Sequence, residues 1–186
     1  MHLTMEELNQ GIDNIKQSPK ESGTVELIVC RPGIGEREEL ATGELDLVNG
    51  LVGDNWLARG FKKNPDGAAH PDMQLNLMNA RAIALIASSK ERWKLAGDQF
   101  FVDLDLSPDN LPPGTRLSIG DAEIEITAEP HLGCKKFSQR FGRDAALFVN
   151  STQGKALNLR GVNAKVTKPG IVAQGAQISK LNASSR

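Results

Sequence analysis

The sequence predicts a mostly β chain with a few helices, α+β in class, whose strands close antiparallel into a barrel. Three observations carry that expectation. Short apolar or alternating segments recur along the 186 residues, separated by turns rich in glycine and proline. Only two stretches, near 4–17 and 79–94, hold a convincing helical pattern. No strand–helix alternation carries a glycine-rich phosphate loop, since Gly33-Ile34-Gly35 and Gly50-Leu51-Val52-Gly53 are too short for a Walker or dinucleotide fingerprint.

Thr4 with Glu7 fits a capping box, and Leu8, Ile12 and Ile15 recur at helical spacing. A helix over 4–17 follows, stopped before Pro19, so residues 1–20 form an N-terminal helical extension. Residues 24–30 are apolar and β-branched, hence a strand, and Arg31-Pro32-Gly33-Ile34-Gly35 turns the chain. Within 36–48, Leu45 and Leu47 alternate with Glu44 and Asp46, which marks a strand with one wet face. Residues 49–72 read as a long loop, a feature that compact domains rarely carry unless it forms a lid or part of a site. A short strand at 73–78 follows, and Asn79 caps an alanine-rich helix reaching about Lys94. Strands are expected at 100–106, 115–119 and 122–128, the last two joined by a tight turn at Gly120-Asp121. Short helices at 137–141 and 144–149, then strands at 159–167 and 171–180, complete one domain over 21–182. Residues 183–186 are expected to fray.

Lys plus Arg total 22 against 23 for Asp plus Glu, a net charge of −1. That balance argues against a nucleic-acid partner held by a broad basic face. No run approaches the ~18 apolar residues of a membrane span. The acidic N-terminal stretch lacks the continuous apolar core of a signal peptide. The expectation is a cytoplasmic protein with no membrane partner. Two cysteines, Cys30 and Cys134, cannot staple a secreted scaffold or hold an iron–sulfur cluster. With three histidines, His2, His70 and His131, a closed zinc site is not expected.

Chemistry concentrates at His131-Leu132-Gly133-Cys134-Lys135-Lys136-Phe137, opened by Pro130. Proline and glycine place the thiol on an irregular loop, where it can reach a ligand. Cationic neighbours favour the thiolate, the form that attacks electrophiles and binds soft metals. His131 could donate to Cys134 and assist that ionisation. The alternative is a half-buried cysteine whose lysines face water. Asp54, Asp98 and Asp121 follow glycines and also read as simple turn residues. Cys30, inside an apolar strand, reads as core.

Five segments in one order resemble a known family: Gly50-Leu51-Val52-Gly53-Asp54; Gly97-Asp98-Gln99-Phe100 with Leu104; Pro113-Gly114 through Ile119-Gly120; Gly133-Cys134-Lys135-Lys136-Phe137; and Leu159-Arg160-Gly161-Val162-Asn163-Ala164-Lys165-Val166 with Pro169-Gly170. Across roughly 24–180 the chain is similar to a stand-alone MOSC domain, the β-barrel module found at the C-terminus of molybdenum cofactor sulfurases. Related modules occur in amidoxime-reducing enzymes and hydroxylaminopurine-resistance proteins. The resemblance implies binding of a molybdenum pyranopterin (the molybdenum cofactor), with Cys134 on the metal and the cofactor's dithiolene supplying further sulfurs. Cys134 and His131 would then be catalytic. Arg160, Lys135, Lys136, Gly133, Gly161, Asp54 and Asp98 would bind the cofactor, Gly161 by allowing close backbone approach. Arg140 and Arg143 are further candidate cations for its phosphate, or surface residues of a short helix. Many members place proline before the cysteine, where this chain has Gly133, a change that bears on the loop's rigidity. Many end their last hairpin on Gly-Asp, where this chain has Gly175-Ala176.

The implied activity is reduction of N-hydroxylated compounds, a small-molecule substrate class, with electrons from a separate electron-donor protein. The alternative is a sulfur carrier or molybdenum cofactor carrier without redox turnover. The related sulfurases use a pyridoxal-phosphate desulfurase domain, for which this chain is too short. Sulfur would then come from a partner cysteine desulfurase.

Overall fold

In the computed structural model, which describes residues 2–181, strand β1 (Ser22–Cys30) is covered on both faces over its last four residues. Val25 and Ile28 point into a barrel, while Leu27 and Val29 point out beneath a layer of helices. Strand β6 (Phe100–Asp103) repeats the pattern, with Phe100 and Val102 inside and Phe101 outside. Double coverage explains why 27–30 and 100–102 read as unbroken apolar runs. Strands β7 (Arg116–Ile119) and β8 (Ala122–Ile126) instead alternate, with Leu117, Ile119, Ile124 and Ile126 inside. Their outer faces are wet, and Arg116 pairs there with Glu123.

Hydrogen-bonded neighbours run β11 (Gln177–Lys180), β7, β8, β9 (Val162–Lys168), β5 (Leu75–Asn79), β6, β1, and the short β2 (Glu38–Leu40) pairs with the end of β1 at Ile28–Cys30. The first residues of β1 then pair back onto β11, Ser22 opposite Ser179 and Thr24 opposite Gln177, closing a barrel of seven strands. The expected closed barrel is thus present. Its pairing is mixed rather than wholly antiparallel, because β5 and β6 run parallel. The connection dictates this: helix α4 (Ala80–Ala87) crosses over between them, and a crossover returns the chain in the same direction. Asn79 caps α4 through its side chain as expected. The helix nevertheless ends at Ala87 rather than near Lys94, since Ser88 takes a left-handed φ of 63° and Lys90–Ala96 coils as a 3-10 helix.

The capping box on Thr4 forms, but Gly11 divides the N-terminal helix into α1 (Met5–Gln10) and α2 (Ile12–Lys16). The final expected strand also divides. Residues Gly170–Ala173 (β10) leave the barrel to pair with β3 (Thr42–Asp46), which pairs with β4 (Gly50–Leu51). Past β8 come α5 (Lys135–Phe141), α6 (Arg143–Asn150) and α7 (Thr152–Ala156), the last not anticipated. Phe137 and Phe141 of α5 and Phe148 of α6 are buried in the outer core, each stabilising by roughly 1.5–3 kcal/mol. That packing fixes α5, and so fixes Cys134, which is its N-cap residue. The tail expected at 183–186 lies outside the described residues. Among those residues no helix is long and apolar enough to cross a membrane.

Candidate functional site

A cleft of about 230 Å³ opens where the loop after β1, the long loop at 52–73, the start of α5 and the approach to β9 meet. Two larger hollows, about 310 Å³ beside Asp105 and about 500 Å³ beside Trp93, match their basic residues with acidic ones. The cleft differs. Its wall holds Arg31, Arg37, Arg59, Arg140, Arg160 and Lys136, together with His131 and Cys134, and no carboxylate.

Two of those arginines are anchored from behind. Arg31 lies at the end of β1 and donates from its backbone N–H and Nε to Asp54 Oδ2, and from Nη2 to Asp54 Oδ1, at 2.8–2.9 Å. Its Nη1 donates to Asn76 Oδ1 (2.9 Å) and to the Gly97 carbonyl (3.0 Å). Arg160 donates from Nη1 to Asp98 Oδ2 (2.6 Å) and from Nη2 to the Ala96 carbonyl (3.0 Å). Its guanidinium carbon lies 4.9 Å from the centre of the Phe137 ring. Asp54 and Asp98, expected at the cofactor, therefore face inward onto arginines, with no side-chain exposure. A buried carboxylate needs paired charged donors, and these supply them.

His131 also turns inward. Its Nε2 lies 2.7 Å from Asp98 Oδ1, so the donation expected toward Cys134 goes to Asp98 instead. Burial alone would raise the Asp98 carboxyl. The Arg160 guanidinium and His131 outweigh it and hold the group at about 2. Asp98 is thus ionised at neutral pH and accepts only, which places the ring proton on Nε2 and the lone pair on Nδ1. Burial, then Arg160, push the His131 pKa below its ordinary value, so the ring is neutral at pH 7.

These two shifts give a stability profile with a definite sign. Below about 6.5 the unfolded chain takes up a proton at His131 that the folded chain resists, so stability falls as pH falls. The stability from Asp98 is present above 3.8 and is lost as pH drops toward about 2. Urea unfolding between pH 7.5 and 2 should show both stages. His131→Gln should remove the upper one. An unchanged upper stage in that variant would exclude this account.

Cys134 is exposed on the cleft wall, with Lys136 beside it. Gly133 lies behind, where Asn150 grips it twice: the Gly133 N–H donates to Oδ1 and Nδ2 donates to the Gly133 carbonyl, both 2.9 Å. The rigidity that proline would lend comes here from that clamp. Lys135 is exposed but outside the cleft wall, and Arg143 on α6 is exposed as well. Gly161 also departs from expectation. A side-chain carbon there would lie 2.2 Å from the Leu77 carbonyl, so its close approach is to β5, not to a ligand.

Of the residues expected at the site, the fold gathers Cys134, His131, Lys136 and Arg160 on one wall, with Arg140. Sequence reading missed Arg31, Arg37, Arg59 and Asn76. The signal for Arg59 was the long loop at 49–72, which does build the cleft, through α3 (Trp56–Arg59), Phe61 and His70. Arg37, Arg59, Arg140 and Lys136 have no carboxylate partner among the described residues. Burial first, then neighbouring arginines, lower the pKa of Arg37 and Arg59, which measures how crowded the positive charge is.

Compared with known proteins, the chain matches the MOSC domain family over residues 64–179. Similar solved structures include the YuaD protein of Bacillus subtilis (TM-score 0.58, 18% identity, covering 84% of this chain and 94% of that one). YiiM of Escherichia coli is similar at TM-score 0.54 and 20% identity, over 88% of this chain and 72% of that one. YiiM of Geobacillus stearothermophilus gives 0.53 and 12%, over 89% and 75%. At these identities the likeness is one of fold. Among curated proteins no match was found.

Proposed function

Because this chain belongs to the MOSC domain family, we propose that its arginine-walled cleft binds a molybdenum pyranopterin and that the protein reduces N-hydroxylated compounds. One observation carries the reading: the single exposed thiol among the described residues, Cys134, stands on the wall of a cleft that holds cations without carboxylates. The donor set fits such a group. A thiolate suits a soft metal, and guanidinium and ammonium groups suit a phosphate. The Nε atoms of Arg37 and Arg160 are buried without an acceptor, as expected of groups that await an anion. The cleft, at about 230 Å³, lies just under the ~300–1,000 Å³ usual for small-molecule sites.

In this reading Cys134 would hold the metal, and Lys136 and Arg160, on the same cleft wall, would meet the anionic cofactor. Asp98 fixes Arg160, and Asp54 fixes Arg31 at the floor. When bound, the group supplies a metal centre able to take an oxygen atom and pass an electron pair. The overall change is R–NHOH plus two electrons and two protons giving R–NH₂ and water. His131 keeps its Nε2 proton on Asp98, so a proton exchanged with a ligand passes through Nδ1. Electrons come from a separate electron-donor protein, since two cysteines cannot hold a cluster.

Exposure of Cys134 also favours a second reading, sulfur carriage. Its thiolate would attack the terminal sulfur of a desulfurase persulfide, breaking that S–S bond and releasing the desulfurase thiolate. One preparation separates the two. Protein from a cofactor-producing host should contain molybdenum and turn over N-hydroxylated substrates with an artificial donor. Cys134→Ser should hold at least roughly tenfold less metal. Protein without molybdenum that gains one sulfur atom at Cys134 from a desulfurase would establish carriage instead.

A further inference from the structure

We propose that the outer face of α5, α6 and α7 docks an acidic electron-transfer protein, seated over a hollow that backs directly onto the cleft. The proposal rests on reading the cleft as a reductase site, and deepens it by naming the donor's chemistry and the face it uses. The hollow, about 200 Å³, lies between the loop before α5 and the turn of α7, with Leu132, Val149, Gly154 and Lys155 on its wall. His131 and Arg160 line this hollow and also the cleft. One layer of side chains therefore separates the outer surface from the site. Electron transfer weakens steeply with distance through protein, so a thin wall is where a donor is best placed. A donor behind the wall also leaves the mouth of the cleft free for substrate.

The surroundings of that hollow are basic. Residues 130–160 hold six cations, Lys135, Lys136, Arg140, Arg143, Lys155 and Arg160, against one acid, Asp144, in a chain of net charge −1. Asp144 is engaged, accepting the Met5 N–H at 3.0 Å. Glu129, just before this stretch, lies 3.6 Å from His70. The clamp between Gly133 and Asn150 folds α5 and α6 into an antiparallel hairpin, so exposed Lys135 at the start of α5 stands beside the end of α6. Arg143 and Leu147 lie one turn apart on the exposed side of α6. Lys135, Arg143 and Lys155 are exposed and join no ion pair among the described residues.

Leu132 and Leu147, 52% and 49% exposed, set two apolar contacts within this field. Apolar contacts ringed by charge are the usual make-up of an interface, and a small one suits a transient redox encounter. A positive field steers a negative partner and fixes its orientation. Two one-electron deliveries supply the electron pair of the reduction, so its balance is unchanged.

The test compares a reduced plant-type [2Fe–2S] ferredoxin, an acidic donor, with dithionite-reduced methyl viologen, a small cation. Lys155→Glu with Leu147→Glu reverses the field, and neither residue lines the cleft. With ferredoxin this variant should lose at least roughly tenfold in kcat/KM for the donor, and the salt dependence of the wild type should flatten. With methyl viologen its turnover should not fall, and its molybdenum content should match wild type. Lys168→Glu with Ile171→Glu, the same change of charge on β9 and β10, should behave as wild type with both donors. A wild type that turns over with methyl viologen but takes no electrons from ferredoxin overturns the proposal. So does an equal loss in the two double variants, or a loss with methyl viologen as well. The second arm needs no turnover. Anisotropy of labelled ferredoxin should report salt-sensitive binding to cofactor-free wild type, at least roughly tenfold weaker for Lys155→Glu with Leu147→Glu. Binding to phosphatidylglycerol vesicles and not to ferredoxin would assign the face to a membrane surface and overturn the proposal. Absence of molybdenum from the wild type refutes the reductase reading, while the anisotropy still decides the docking face.

Discussion

Replacing Asp98 with alanine is expected to lower the unfolding free energy by roughly 3–5 kcal/mol and to disable the cleft with it. Asp98 has no side-chain exposure and is the only carboxylate in contact with Arg160 and His131 among the described residues. Removing it leaves a guanidinium whose side chain is 7% exposed, held by one carbonyl and the face of Phe137. An unpaired buried charge carries most of its desolvation penalty uncompensated, which is why breaking such a pair is worse than deleting it. The sharper form of the prediction follows. Asp98→Ala with Arg160→Met should be more stable than Asp98→Ala alone, although it carries one more substitution. Urea unfolding of the two single variants and the double variant measures this directly. A double variant less stable than Asp98→Ala would show that the penalty is not electrostatic.

Much of the barrel was legible because its strands follow simple coverage rules. In 116–126 one face is wet, and the alternation marks it. In 27–30 and 100–102 both faces are covered, and the runs are apolar throughout. The parallel β5–β6 pair was not legible from strand composition, since direction is set by the connecting helix rather than by the strands. The same limit applies at the site. Cys134 and Arg160 stood out locally, one by its loop and the other by its place beside glycine. The acids did not. Asp54 and Asp98 each follow glycine and look like turn residues or ligand contacts. Their engagement with Arg31 and Arg160 depends on chain segments 23 and 62 residues away. His131 misled for a related reason: its neighbour in sequence is a thiol, but its neighbour in space is a buried carboxylate with an oxygen to satisfy. Arg37 and Arg140 belong to distant segments, and only folding brings them to one cleft.

Gly161→Ala should be far more damaging than Gly175→Ala, and the comparison separates two kinds of strain. Both glycines have positive φ, 114° and 85°, so both substitutions force a side chain into backbone conformations it disfavours, at about 1–3 kcal/mol. At Gly175 nothing lies within 4 Å of the added carbon, so that cost is the whole effect. At Gly161 the carbon would meet the Leu77 carbonyl at 2.2 Å and His131 Cδ2 at 3.1 Å. The carbonyl belongs to the backbone of β5 and cannot rotate aside, and Leu77 pairs with Val162, the first residue of β9. The start of β9 must therefore lift from β5, and Arg160, one residue before Gly161, must move with it. We expect a loss above about 4 kcal/mol, in the range reserved for a named structural fault. If the cleft binds the cofactor as proposed, molybdenum content should fall in step, because the Arg160–Asp98 contact is made from the displaced segment. Equal losses for the two variants in urea unfolding would mean that β9 yields without disturbing its neighbour. Arg160 would then owe its position to Asp98 and Phe137 alone.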